Sequence, residues 1–192
     1  MESENAIAGN SILKLSEQEL LDCASGISKP CDGADHTAEW SKYASDNGGL
    51  NLEEEYRYAG KSSGNCNSVE QHYGAIEAEV ERCNGGRSCS SSKLQEMVSR
   101  GVVVAHIASD NDIMKNYQSG VIGSGCTGDA NHFVNIVGYN VNPKKNYFIG
   151  RNSWGHTWGE DGYFRISNGN PTLSTKGYCK LYESVFMPKT AT

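Results

Sequence analysis

The sequence has 192 residues and a formal net charge of −6, with 37% hydrophobic and 21% charged residues. This length and composition are typical of one soluble globular domain with a real core, built from one lobe or two. The acidic charge argues against nucleic-acid binding, and no apolar run approaches the roughly 18 residues that span a bilayer.

The first hundred residues are predicted to be mainly helical. Ser16-Glu17-Gln18-Glu19 is a capping box, in which Ser16 caps a helix and Glu19 reaches back to the cap. A second helix is expected over 35–47, ending at a Gly-Gly pair. A third opens at another capping box, 92–95, with Ser92 as the cap, and ends near residue 101.

The remainder of the chain has the character of a β-sheet. Short β-branched or aromatic runs, separated by Gly, Asn and Pro, predict strands at 102–105, 133–139, 147–152, 163–166 and 185–187. The predicted fold class is therefore α+β. We expect a helical lobe over 1–101 and an antiparallel, barrel-like lobe over 102–192, within a single domain.

The seven cysteines are dispersed, with no C-x-x-C pair and no zinc-finger spacing, so disulfides of an oxidising compartment are favoured over a metal site. Cys83 and Cys89 enclose a turn-prone loop and are expected to pair locally. The N-terminus has no basic region followed by an apolar stretch, so no signal peptide is expected, and the odd count leaves one cysteine without an intrachain partner. Both discrepancies would follow if an N-terminal part were absent.

A hairpin is expected around the polar linker 140–146. If Asn140 pairs with Tyr147, position 132 faces about position 155. His132 and Asn152 then lie at the same end of the hairpin. An amide oxygen can accept one ring N–H of a histidine and leave the other nitrogen free for proton transfer. By itself, a histidine at a strand end is more often structural than catalytic.

Four segments change that balance. Residues 152–163 read N-S-W-G-H-T-W-G-E-D-G-Y and residues 131–139 read N-H-F-V-N-I-V-G-Y, while 15–23 read L-S-E-Q-E-L-L-D-C and 177–182 read G-Y-C-K-L-Y. In this order they resemble the asparagine signature, the histidine strand, the L-S-E-Q-E-L-V-D-C helix and the C-terminal disulfide turn of the papain-like cysteine peptidases (cathepsin L/papain family). The resemblance covers nearly the whole chain. It implies a papain-like two-lobe fold whose helical lobe is incomplete.

The resemblance also implies a Cys-His-Asn mechanism of peptide-bond hydrolysis, in which a thiolate with a pKa of about 3–4 attacks the carbonyl. His132 would be the general acid/base and Asn152 would orient its ring. Trp154 would shield the His–Asn hydrogen bond from water, and Trp158 would pack on the leaving-group side; plain core packing is the alternative for both tryptophans. No cofactor and no metal is implied.

The nucleophile of this family stands about 130–150 residues before its histidine and asparagine. Counting back from His132 reaches or passes the N-terminus. Cys23 is only 109 residues before His132 and belongs to the helix motif, and none of the seven cysteines has C-G-S-C-W surroundings. The chain as written is therefore expected to be inactive. By resemblance the remaining disulfides are Cys23–Cys66 and Cys126–Cys179. Cys31 would be unpaired, since its partner belongs to the missing segment.

Two explanations remain open for the absent nucleophile. The favoured one is that the chain is a piece of an active endopeptidase; the other is a truncated, catalytically inactive paralogue that binds peptides or proteins. A carbohydrate-binding or structural module would explain the Gly-, Tyr- and Cys-rich composition but not four ordered motifs.

By alignment with the family, the main specificity pocket has Ala105, Ala130 and Ser184 as walls and Asp35 and His36 at its entrance. Small walls predict a preference for a large apolar side chain, whose burial contributes about 1.5–3 kcal/mol. Ser184 offers no fixed charge for arginine. An added carboxylate at position 35 departs from the family pattern, although Asp35 could simply cap the following helix.

The expected partners are peptide or protein substrates and proteinaceous inhibitors of cysteine peptidases. No nucleic-acid or membrane partner is expected, and the protein is expected to be a monomer. The family and the disulfides predict a lysosomal, vacuolar or secreted location for the full-length protein. If that protein has the family's pro-region, the resemblance implies autoinhibition and activation by acid.

Overall fold

The computed structural model describes residues 1–24, 37–77, 80–83, 88–142, 145–169 and 176–189, with the backbone alone for 37–39. The chain divides into two compact units, one from Met1 to Glu81 with the segment from Pro188, the other from Arg82 to Met187. The boundary predicted near residue 101 falls inside the second unit. Helices and a large sheet together confirm the predicted α+β class.

The described part of the first unit contains three helices and one pair of short strands. Its elements are α1 (Glu2–Ile7), α2 (Glu17–Cys23), α3 (Thr37–Asp46), β1 (Gly49–Leu50) and β2 (Tyr73–Gly74). The two short strands pair antiparallel, and a Cβ at Gly49 would lie 2.0 Å from the carbonyl oxygen of Tyr73, so only glycine allows this close approach. Leu15, Ala44, Leu50 and Ile76 form the buried core of this unit.

The capping box predicted at the start of α2 is present only in part. The Oγ of Ser16 accepts the backbone N–H of Glu19 at 3.0 Å, as predicted. Glu19 does not reach back to the cap, because the backbone N–H of Ser16 donates to the carbonyl of Asn51 at 2.9 Å. Its carboxylate is fully buried and accepts the backbone N–H of Asn51 at 2.6 Å instead.

Three further groups donate to the buried carboxylate of Glu19. They are the hydroxyl of Tyr43 at 2.9 Å, the Oγ of Ser68 at 3.1 Å and the Nε2 of His72 at 3.1 Å. A buried carboxylate is costly unless hydrogen bonds replace its hydration. These donors come from α3 and from the chain before β2, so Glu19 ties those parts of the first unit together.

The remaining described elements are β3 (Glu81–Arg82) at the boundary of the units, α4 (Ser91–Val98), β4 (Val103–Ile107), α5 (Asp112–Lys115), β5 (Val121–Ile122), β6 (His132–Asn140), β7 (Tyr147–Arg151), β8 (Tyr163–Ser167), a 3-10 turn (Tyr178–Lys180) and β9 (Ser184–Met187). The seven strands among them form one sheet in the order β3-β9-β4-β6-β7-β8-β5. The β5–β8 pair is parallel, whereas β4 with β6 and β9, and β7 with β6 and β8, pair antiparallel. Over the described strands the sheet is open at β3 and β5, so the barrel-like lobe predicted from the sequence is not a closed barrel.

The helix α4 begins earlier than predicted. Its cap is Ser90, whose Oγ accepts the backbone N–H of Lys93 at 3.1 Å, rather than Ser92. Consecutive serines make the local signal ambiguous, since each can cap a helix equally well. The choice of Ser90 places Leu94 and Met97 in the core of the second unit.

The strand β4 alternates strictly between a buried core face and a less buried face. Val103, Ala105 and Ile107 are fully buried on the core face. His106 pairs with Phe133 of β6 on one side and with Ser184 of β9 on the other. Directly paired residues share a face of a sheet, so these three side chains lie on the face opposite to Ala105.

The hairpin of β6 and β7 has the predicted register at its turn, where Asn140 pairs with Tyr147. A bulge at Val137 then shifts the register, so that Ile136 pairs with Gly150 rather than with Arg151. Extending this register puts position 132 opposite 154 instead of the predicted 155.

The structure contains the three expected disulfides. Cys23–Cys66 lies in the first unit, and Cys83–Cys89 and Cys126–Cys179 lie in the second. Cys31 lies outside the described residues. In the part of the chain that the structure describes, no helix is long and apolar enough to cross a membrane, and no group of three or more His, Cys, Asp or Glu side chains is arranged to hold a metal ion.

Candidate active site

His132 and Asn152 meet at the open end of the β6–β7 hairpin. The Nε2 of His132 lies 2.9 Å from the Oδ1 of Asn152. An amide oxygen can only accept, so this bond assigns the proton of the neutral ring to Nε2 and leaves Nδ1 as the nitrogen that can exchange a proton. The contact expected from hairpin connectivity is therefore present.

Hydrogen bonds fix both the backbone and the side chain of Asn152. Its N–H donates to the carbonyl of Gly162 at 2.9 Å, and the N–H of Ser153 donates to its Oδ1 at 2.8 Å. The residue is nine-tenths buried, and its Nδ2 has no hydrogen-bond partner among the described residues. The Oδ1 that faces His132 is thus fixed in position before any substrate arrives.

Two tryptophans follow Asn152, and the first of them packs beside His132. The ring of Trp154 lies 5.2 Å from that of His132 at an interplanar angle of 30°. Trp158 meets Trp154 edge to face at 5.2 Å, and its Nε1 donates to the carbonyl of Met114 at 3.0 Å. Trp154 itself remains exposed, whereas Trp158 is partly buried against the core of the second unit.

The residues predicted to line a specificity pocket do not all lie on one surface. Ser184 is half-buried beside His106, whereas Ala105 is fully buried on the core face and is not a wall of the same surface. Ala130 is half-buried and precedes β6 by two residues. The predicted entrance residues Asp35 and His36 lie outside the described part of the chain.

Sequence reasoning missed His106 and Phe133. Their rings stack with centroids 4.4 Å apart and an interplanar angle of 20°. Burial lowers the pKa of His106 below its ordinary value, Glu183 opposes that shift, and the charge of His132 adds to it. The alternation of β4 was the signal that could have found His106, because a one-residue error in register exchanges the two faces of a strand.

The described cysteines provide no thiol for this site. All six of them are in disulfides, and Cys31 is not described. His132 therefore has a fixed orienting partner but no nucleophile among the described residues.

Comparisons with known proteins agree on one family. A model described as "Papain family cysteine protease" matches residues 1–189. The chain is 33% identical over 181 residues to Germination-specific cysteine protease 1 of Arabidopsis thaliana, covering 93% of this chain and 46% of the relative. It is 33% identical over 178 residues to cysteine proteinase COT44 of Brassica napus, covering 92% of this chain and 52% of the relative. The chain thus spans about half the length of these curated relatives.

The fold is also similar to a solved structure. Bromelain protease from Ananas comosus, determined in complex with the E64 inhibitor, superposes with a TM-score of 0.86 and 28% sequence identity. The match covers 99% of this chain and 84% of that one.

Proposed function

The chain belongs to the papain family of cysteine proteases, and from this premise we propose that it carries the histidine–asparagine part of a cysteine-type endopeptidase site. The observation that carries the proposal is the 2.9 Å bond between Nε2 of His132 and Oδ1 of Asn152. It orients the ring so that Nδ1 is the nitrogen available to a thiol.

The proposed reaction follows from that orientation. Nδ1 of His132 takes the proton of a cysteine thiol, and the thiolate attacks the peptide carbonyl to form a tetrahedral intermediate. The imidazolium then gives its proton to the amine that leaves, which produces a thioester. Water, activated by the neutral ring, hydrolyses the thioester and restores the thiol. Asn152 holds the ring throughout, as aspartate does in serine peptidases.

We propose that the nucleophilic cysteine belongs to a segment of the whole protein outside this chain. Six of the seven cysteines here form disulfides, and Cys31 lacks the surroundings of the family's nucleophile. The same segment would supply the disulfide partner of Cys31. The isolated chain is accordingly expected to cleave no peptide.

Substrate selection is proposed to involve the face of the sheet that carries Ser184. His106 and Phe133 share that face with Ser184. In the pairing of β4 with β6 they are next to the pair formed by Ile107 and His132. Their stacked rings present a broad apolar wall in place of the small one expected from Ala105. A large apolar side chain remains the expected ligand, with planar side chains favoured because they can stack on this wall.

The disulfides support a location in an oxidising compartment, which is lysosomal, vacuolar or extracellular for proteins of this kind. Peptide or protein substrates and proteinaceous inhibitors are the proposed partners. A monomer is the proposed assembly state.

Reading the coding DNA upstream of Met1 tests the proposal. An in-frame C-G-S-C-W segment is expected, and the protein expressed with that segment should cleave peptides and react with a thiol-directed epoxide. His132→Ala should abolish cleavage, since no other base replaces it. A stop codon, or serine or glycine at the nucleophile position, would instead identify a non-catalytic paralogue that binds peptides or proteins.

A further inference from the structure

The loop between β7 and β8 carries Trp154, which lies beside His132, and Trp158, which packs against Trp154. It turns back on itself near its end, where the backbone N–H of Gly162 donates to the carbonyl of Trp158 at 2.8 Å and the N–H of Glu160 donates to the carbonyl of Tyr163 at 2.9 Å. These bonds shape the loop locally. They do not determine where the tryptophans lie relative to the rest of the second unit.

The carboxylate of Glu160 makes the connection to the rest of the unit. Its Oε2 accepts from the Nε of Arg165 at 2.9 Å, and its Oε1 accepts from the Nη2 of Arg165 at 2.5 Å. Oε1 also accepts the backbone N–H of Gly120 at 2.9 Å. Glu160 therefore joins the loop to β8 through Arg165 and to the segment before β5 through Gly120.

Tyr117 completes the same network. Its hydroxyl donates to the carbonyl of Gly120 at 2.6 Å and accepts the backbone N–H of Arg165 at 3.1 Å. Its ring lies 5.5 Å from that of Trp158, which also packs against Trp154. Glu160 thus holds the segment from Tyr117 to Gly120, whose tyrosine packs against Trp158. The Nε1–H of Trp158 also donates to the carbonyl of Met114.

We infer that Glu160 is a positioning residue for the His132–Asn152 pair, acting through Trp158 and Trp154. The inference rests on the proposed function only for its effect on turnover, since the geometry of the pair can be measured without activity. Removing the carboxylate would release the loop from Gly120 and Arg165 at once. Trp154 would then no longer stay at its distance from His132.

The chemistry of the Glu160–Arg165 ion pair suits this role. The planar fork of an arginine binds a carboxylate in two parallel hydrogen bonds and so fixes direction as well as distance. Hydrogen bonding to Arg165 lowers the pKa of Glu160 below its ordinary value, against the opposing effect of burial. The carboxylate therefore remains ionised in mildly acidic solution. Arg165 also lies over the ring of Tyr147 at 5.5 Å, which limits its own movement.

A merely stabilising ion pair would give a different result from a positioning one. Loss of a stabilising pair lowers the free energy of unfolding of the whole unit and speeds hydrogen exchange throughout its sheet. Loss of a positioning pair speeds exchange selectively in the loop and changes the environment of His132. The two can be separated by NMR on the 192-residue chain.

The variants are Glu160→Ala, Glu160→Gln and Arg165→Lys, with Glu96→Gln as the matched control. Glu96, in α4, forms exposed ion pairs with Lys93 of the same helix and with Arg100 just beyond its end. In Glu160→Ala we expect exchange of the indole N–H of Trp158 to accelerate at least about tenfold, and the ring-proton shifts of His132 to move toward those of an uncovered histidine. Glu160→Gln keeps an acceptor for Gly120 and should therefore show smaller changes than Glu160→Ala. Arg165→Lys keeps the positive charge but loses the planar guanidinium, and it should also show smaller changes than Glu160→Ala.

In the whole protein with its nucleophile, Glu160→Ala should lower kcat by about ten- to a hundredfold with little change in KM, because displacement of a reacting group by about 1 Å costs rate rather than affinity. Unchanged Trp158 exchange and unchanged His132 shifts in folded Glu160→Ala and Arg165→Lys would overturn the inference. So would equal acceleration of exchange across β4 and β6. If the wild-type whole protein cleaved nothing, the proposed function would fail while the NMR result still decided the role of Glu160.

Discussion

The Nε2 of His132 and the Oδ1 of Asn152 lie 2.9 Å apart across the end of a hairpin, although 20 positions separate the two residues in the chain. The distance depends on a bulge at Val137, which moves the register by one residue. It also depends on the backbone bond from Asn152 to Gly162, which turns the chain inward directly after β7. Orientation of the histidine is thus built into the second unit itself.

The first prediction concerns that bond. In the whole protein with its nucleophile, Asn152→Ala should lower kcat/KM by about a hundredfold, because the ring of His132 loses the acceptor that holds it. In the isolated chain, ¹⁵N NMR should show that the neutral ring of His132 carries its proton on Nε2 in the wild type. In the variant the ring should exchange between the Nε2–H and Nδ1–H tautomers. Asn116→Ala, which removes an exposed amide from the same unit, is the control. Equal tautomer populations in Asn152→Ala and the wild type would contradict the assignment.

The second prediction concerns substrate selection by His106. Since burial lowers the pKa of His106, its ring should be neutral until the solution becomes more acidic than the ordinary histidine range. Preference of the whole protein for an apolar over a polar substrate side chain should therefore weaken as pH falls below that range. His106→Val should remove this pH dependence and change the ratio of kcat/KM between aromatic and aliphatic side chains by about tenfold.

Val104→Ala is the control for His106, because Val104 lies on the same face of β4 two pairs farther from His132. A pH profile of the preference that is the same in His106→Val and the wild type would show that another group governs selection. Glu183 and His132, the two titratable groups that influence His106, are the next to be tested.

The third prediction concerns the buried carboxylate in the first unit. Glu19→Gln leaves one acceptor oxygen for Tyr43, Ser68, His72 and the backbone of Asn51, and its new amide faces donors. The free energy of unfolding should fall by about 2–3 kcal/mol, measured by urea denaturation of the 192-residue chain. Glu54→Gln, an exposed acid of the same unit, should change it by less than about 0.5 kcal/mol. A loss no larger than that of Glu54→Gln would mean that the network contributes nothing net.

The fourth prediction concerns acid stability. Burial favours protonation of Asp22, but hydrogen bonds from Gln18, Ser63 and Tyr56 outweigh it and lower the pKa of Asp22 to about 2. Because the folded pKa is below that of the unfolded chain, the stabilisation is present above about pH 4 and is lost as pH falls toward 2. Asp22→Asn should destabilise the chain by about 1 kcal/mol at pH 5, allowing for solvent screening, and by much less at pH 2. Denaturation curves at the two pH values measure the difference, and equal losses at pH 5 and pH 2 would contradict the prediction.

Much of this protein follows from short stretches of sequence. The helix cap at Ser16 depends on bonds within one turn, and the meeting of His132 with Asn152 depends on the connectivity of a hairpin whose turn register was predictable. The ordered motifs from residue 15 to residue 182 identify the family, and with it the disulfides Cys23–Cys66 and Cys126–Cys179. Local bonds and chain connectivity are properties that neighbouring residues determine by themselves.

Only the tertiary structure decided the rest. Glu19 satisfies the chain around Asn51 rather than its own helix, because a buried carboxylate takes the donors that surround it. Ala105, expected as a pocket wall, lies on the core face, and His106 lies on the face that carries Ser184, since the face of a strand depends on a register that is set by β6 and β9 together. Glu160 reaches Gly120 across 40 positions. The partners of Glu19 and Glu160 are distant in sequence and adjacent only after folding, so no local pattern could have predicted them.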